Sequence, residues 1–157
     1  MKEERKVIEP NAIVAFYGDV KAAKLNELFK DFQGDISIFG STLQDGESLS
    51  IKCNNLYIMG RLGGSDITVD GNLYIEGDID CCDINVNGCL TCKGAIDAFN
   101  INVSENLYAK FSIFTNGYDI NVGGDLICDD EVEAAEIVVL HKLQVRNSIQ
   151  ADSISDG

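Results

Sequence analysis

Isoleucine returns along this chain at a nearly constant step. Ile67, Ile84, Ile101, Ile120, Ile137 and Ile154 are separated by 17, 17, 19, 17 and 17 residues, and Leu49 opens an earlier copy 18 residues before Ile67. Such a period has to be read before any motif inside it, because each copy buries its apolar face only against its neighbours. Within a copy, apolar residues recur at every second position in three short runs: Ile84/Val86, Leu90/Cys92 and Ile96/Ala98 in one copy, Ile101/Val103, Leu107/Ala109 and Ile113/Thr115 in the next. Period two means strand, with alternate side chains on one face. The runs are too short for a hairpin sheet and suit the sides of a triangular coil. Glycines mark the first corner (Gly71, Gly88, Gly124) and the second (Gly60, Gly77, Gly94), where positive φ or a tight bend is expected. Coils stacked at about 4.8 Å would build three parallel sheets around one dry core. The expected fold is therefore all-β, a single-stranded parallel β-solenoid. The two extra residues in "TNGYD" (115–119) fall between a third run and the next first run, which predicts a loop. A leucine-rich repeat has a similar period, but it needs a helical return segment where this chain alternates apolar and polar.

The front of the chain breaks the repeat. "IVAFYG" (13–18) reads as a strand, and "DVKAAKLNELFKDFQG" (19–34) as an amphipathic helix with Asp19 as N-cap and Gly34 just past its end. Leu25, Leu28, Phe29 and Phe32 share one face of that helix. A solenoid exposes an apolar end, and this helix is the natural lid for it. The expected organisation is a flexible charged tail at 1–10, a strand–helix cap with a first irregular coil at 11–48, and the solenoid at 49–157. At the other end Ile154 opens a further coil and no lid is expected.

Charge divides the chain in the same place. Residues 1–33 carry six Lys/Arg and six Asp/Glu, so the whole net charge of −14 lies in residues 34–157. Such a body repels nucleic-acid phosphates and anionic membranes and attracts basic partners. No apolar run approaches the roughly 20 residues that cross a bilayer, and "MKEERKVIEP" lacks the apolar core of an export signal. The six cysteines are then expected as reduced thiols in a cytoplasmic protein.

Cys89-Leu-Thr-Cys92 looks like a metal knuckle or redox pair. Three positions apart on an extended chain, the two thiols point to opposite faces. Cys92 takes an inward column with Ile58, Ile75, Ala109, Cys128 and Val145, and Cys81 one with Ala98, Ala134 and Ala151. A free cysteine serves such columns as a small apolar residue. A structural zinc site needs four converging ligands, and the chain has no second pair and one histidine, His141. No metal or cofactor is expected. Cys53, Cys82 and Cys89 are expected as oxidation-prone surface thiols.

The outward columns follow from the inward ones. The first face presents Thr68, Asn85, Asn102 and Asn121, an amide ladder that stabilises stacked strands. The second presents Tyr57, Tyr74, Thr91, Tyr108 and Ile127, a stripe of the residue types enriched at protein interfaces. The third presents Asp78, Asp80, Asp97, Glu131 and Glu133. Paired carboxylates serve acid–base chemistry or a hard cation, but uniform coils suggest no concave site where they would converge. "GRLGGSD" (60–66) is a corner rather than a phosphate cradle, since no strand–helix unit surrounds it. An enzyme is not expected.

The alternation "LYIEGDIDCCDINVNGCLTCKGAIDAFNINV" resembles that of the bactofilins, bacterial cytoskeletal proteins with a triangular β-helix core, over about residues 49–153. The resemblance implies cytosolic polymers built by end-to-end stacking. The chain departs from it in its front strand and helix, where a lid would block one stacking end and favour dimers over filaments. Two functional classes follow. One is a scaffold that self-associates through the open C-terminal coil at Ile149, Ala151 and Ile154. The other is an acidic binding protein, such as a toxin's immunity protein or a nucleic-acid mimic, that blocks a basic partner with the tyrosine and acidic flank.

Overall fold

The computed structural model describes residues 12–42 and 47–157. The chain winds as a β-solenoid of about seven turns, with 51% of residues in strands. Every strand pairing is parallel, between a residue and its equivalent one coil on. On the first face Leu49, Ile67, Ile84, Ile101, Ile120, Ile137 and Ile154 stand in one file. On the second, Ile36, Leu56, Leu73, Leu90, Leu107, Leu126 and Leu143 do so. On the third the file is Leu62, Ile79, Ile96, Ile113, Val132 and Ile149. Ile84, Leu90 and Ile96 of one turn are fully buried in a shared interior, as the period-two reading requires.

The loop expected at 115–119 forms, with positive φ at Asn116 and Gly117. The Thr115 hydroxyl closes it by donating to the Tyr118 carbonyl at 2.7 Å. The two added residues leave the register intact, since Ile101 still pairs with Ile120.

The positive φ expected at the corner glycines is met in part. Of the six, only Gly71 has a positive φ, +151°. Gly77 and Gly94 are required by stacking instead: a Cβ on Gly94 would strike the Gly77 carbonyl, and one on Gly77 the Gly60 carbonyl. Coils approach closest where the backbone turns, and there only hydrogen fits between them.

A second device at the corners was not read from the sequence. A side-chain oxygen of one coil accepts the backbone N–H of the next. Asp66 accepts from Asp83 N at 3.1 Å, Asp83 from Asn100 N at 3.1 Å, Asn100 from Asp119 N at 3.3 Å and Asp119 from Glu136 N at 3.2 Å. Asn72, Asn106 and Asp125 do the same at the next corner. Corner amides that the sheets leave without a partner are thereby satisfied.

The cap is only partly as expected. Strand β1 (Ile13–Tyr17) and helix α1 (Ala22–Leu28) form, followed by β2 (Asp35–Phe39) and β3 (Leu49–Ile58). The helix is shorter than the amphipathic pattern. Lys21 is its N-cap position, while Asp19 accepts from Ser41 N at 2.8 Å. Leu28 is exposed; Leu25, Phe29 and Phe32 are buried. The helix stops early because the residues after it run along the edge of β3, where Phe29 O accepts from Lys52 N and Phe32 N donates to Lys52 O. Asn26 completes the seal, donating to Ser48 O and accepting from Ser50 N, each at 2.7 Å. An unpaired edge outcompetes another helical turn. The lid so formed closes the first face alone. On the second face β2 pairs with β3, and β1 pairs with β2 on its inner side. The expected tail at 1–10 lies outside the described residues.

Candidate functional site

The proposed surfaces occupy three different places. On the second face Tyr57, Tyr74, Thr91, Tyr108 and Ile127 stand in register as one outward column. Each is half-buried by its neighbours rather than fully exposed. The Tyr57 and Tyr74 rings stack at 4.9 Å, 12° from parallel. The Tyr108 hydroxyl donates to Asp129 at 2.6 Å, and that bond to a carboxylate pushes the phenol's pKa up. Burial, with Asp35 adding, pushes Tyr57 up as well. The stripe carries mixed charge beside it, since Glu76, Lys93, Lys110, Asp129 and Arg146 follow at the corner.

The acidic residues lie around that corner, on another face. Asp80 and Asp97 share a column with Phe114 and Glu133. Asp78 and Glu131 stand two positions earlier, Asp78 just before its strand and Glu131 as the first residue of the strand Glu131–Glu133. Tyrosines and acids are therefore not one flat surface. Asp78 also has structural work: it accepts Ala95 N at 2.8 Å. Asp97 accepts from the Asn116 amide at 2.7 Å. Two substitutions of equal charge should thus differ in effect. Asp78→Ala is expected to cost about 1–2 kcal/mol in urea unfolding, for the orphaned amide, and Asp80→Ala less than about 0.5 kcal/mol. Equal costs would remove the corner ladder as a stabilising device.

The asparagine ladder of the first face forms, with Asn102 donating to Asn85 at 3.2 Å and Asn121 to Asn102 at 3.3 Å. A shallow open trough of about 600 Å³ lies along it, lined by Thr68, Asn85, Asn102, Asn121, Val138 and Leu140 among others. Its ionisable group among the described residues is Asp70, already engaged by the Asn87 amide at 2.9 Å. No base stands beside a nucleophile there, so the trough offers surface rather than an acid–base pair. The sequence also gave no warning of an aromatic pair at the corner between third and first faces, where the inserted loop stacks Tyr118 on Phe99 at 4.8 Å.

The cysteine motif resolves as the register requires. Cys92 is fully buried and Cys89 half-buried, its thiol 3.4 Å from a Glu105 oxygen. Among the described residues no three His, Cys, Asp or Glu side chains come together as a metal site. Cys82 is half-buried too, but Cys53 is not the surface thiol expected. It lies in the bulge between Lys52 and Asn55 with its side chain turned in, 5% exposed. Burial pushes the Cys53 thiol up to about 12 and the Cys92 thiol up to about 11, from an ordinary 9.0. Cys81 and Cys128 are raised by burial as well. Well below pH 9 these thiols are protonated in both states and add no pH dependence to stability. As pH rises from about 9 toward 12, the unfolded chain loses protons that the folded chain keeps, so stability falls. The stability lead of the parent over Cys92→Ala is expected to shrink between pH 8 and 11 in urea titrations. A constant lead would contradict burial of that thiol.

At the C-terminal coil the inward residues lose their cover. Leu143, Val145, Ile149 and Ala151 are half-buried and Ile154 is 47% exposed, whereas their equivalents one coil earlier, Leu126, Cys128, Val132, Ala134 and Ile137, are buried. Among the described residues the outer edges of Leu143–Val145, Ser148–Gln150 and Ser153–Asp156 are unpaired.

Comparison with protein-family models, curated protein sequences and solved structures finds no match to this chain. What fold and surface define is a class: a triangular β-solenoid, capped on one face at its front, with open strand edges behind. Among the described residues no helix is long and apolar enough to cross a membrane.

Proposed function

We propose that this protein is a non-catalytic scaffold that self-associates through the last coil of its solenoid. The observation that carries the reading is the change in burial there: Ile149, Ala151 and Ile154 occupy inward columns yet keep solvent contact, beside three unpaired strand edges. A second coil stacked on them would bury that apolar surface and pair those edges. The bactofilin resemblance points the same way and rests on the alternation alone. Charge sets the conditions. Residues 119–157 carry nine Asp/Glu against two Lys/Arg, so association at this end should strengthen as salt screens the repulsion.

Sedimentation of the chain at two concentrations, in low and high salt, is the test. Mass rising with concentration and with salt, and weakened by Ile154→Lys, is the expected outcome. A particle that stays monomeric in all four conditions removes the reading. The second reading, an acidic protein that occupies a basic partner in a cytoplasmic setting, draws on Asp80, Asp97 and Glu133: the ion pair present among the described residues, Lys52–Asp31, involves none of them. A basic protein retained from cell extract by the parent and lost on changing these three to Asn and Gln would favour it.

A further inference from the structure

The front of the molecule carries an edge that the lid leaves open. Asp35 N donates to Ala12 O, and Gly18 N to Phe39 O. The even-numbered residues of β1 therefore turn their backbone groups to β2, and strand alternation turns those of Ile13, Ala15 and Tyr17 the other way. Among the described residues nothing pairs with that side. The strand reads Ile-Val-Ala-Phe-Tyr, with no charge, proline or bulge to guard it. Its outward side chains are strongly exposed, Ile13 at 78% and Tyr17 at 86%. Tyr17 stacks on Phe39 at 5.2 Å, and Met59 continues that exposed column. Inside, Phe16 is held edge-on against Phe29, so the strand is seated firmly on the cap.

We propose that this edge is a dimer interface, in which β1 pairs antiparallel with β1 of a second copy about a two-fold axis through Ala15. The register follows from the backbone. Only the odd-numbered residues have free groups, so Ala15 lies opposite Ala15 of the second copy and Ile13 opposite Tyr17, twice. That cross-strand match of a β-branched with an aromatic side chain is a favourable one, and it covers the two most exposed apolar side chains of the strand. Charge selects a second copy meeting front to front. Residues 12–33 carry three lysines and three acids, while the whole −14 lies behind them. This arrangement brings neutral ends together and sets the acidic bodies as far apart as the molecules allow. The second-face sheet would run unbroken through both copies.

The interface lies opposite the C-terminal coil, so the two associations separate by variant and by salt. Ala15→Pro removes a free-edge N–H without breaking a bond to β2, a placement that edge strands tolerate. With the full chain, sedimentation should show a dimer whose strength changes little with salt, weakened about tenfold or more by Ala15→Pro and by Ile13→Lys, and unchanged by Ile154→Lys. Circular dichroism should be the same for all. In Ala15→Cys, mild oxidation should link the two copies through that position. A monomer under every condition overturns the proposal. So does a dimer that survives Ala15→Pro or fails to cross-link in Ala15→Cys.

Discussion

Ile101→Asp is expected to abolish the cooperative unfolding transition, or to leave too little folded protein to measure one. Ile101 sits midway along the first-face file, paired with Ile84 and Ile120, and is fully buried. A carboxylate there has no cation within a core of Ile, Val, Leu, Cys and Ala. Burying an unpaired charge costs several kcal/mol, against a total stability of about 5–15 kcal/mol for a domain. Ile154→Asp changes the same register position three coils later, where the side chain is 47% exposed. Its cost to the isolated chain should stay within about 0.5 kcal/mol. Urea unfolding followed by circular dichroism compares the two. Similar midpoints would mean that Ile101 is not in the core, and the inward columns would fall with it.

Gly71→Ala should destabilise by about 3 kcal/mol, summing left-handed backbone strain and overpacking. Its φ of +151° is one that side chains rarely adopt, and an added Cβ would strike the Cys53 carbonyl of the coil above. That carbonyl belongs to the bulge where β3 takes its extra residue, so it is fixed by the register on both sides. Gly117, in the inserted loop, is the control. It too has a positive φ, +85°, but nothing stands within 4 Å of the added atom. Gly117→Ala should cost only about 1 kcal/mol, the backbone term alone. Equal effects at the two sites would show that crowding between coils plays no part in placing Gly71.

The candidate surfaces were legible in part. Register gave the asparagine ladder and the tyrosine column, because both depend on counting alternate residues along extended chain. It did not say that Tyr108 spends its hydroxyl on Asp129, nor that Asp78 is tied to Ala95 N while Asp80 has no such bond among the described residues. Those partners lie 21 and 17 residues away along the chain and meet only when one coil lands on another. Helix periodicity likewise ran on through Phe32, while the chain stopped the helix at Leu28 to hydrogen-bond along β3.

From the sequence alone came the solenoid, its step and the inward direction of each alternating side chain, down to the burial of Cys92 in Cys-Leu-Thr-Cys. Side-chain direction in a strand is a local consequence of backbone geometry, so a period of two transmits it without reference to distant residues. The closed edge at β3, the open one at β1 and the amides satisfied across each corner were decided by tertiary structure. A strand edge is open or closed according to what the folded chain brings alongside it, and no local pattern in Ile13–Tyr17 records that neighbour.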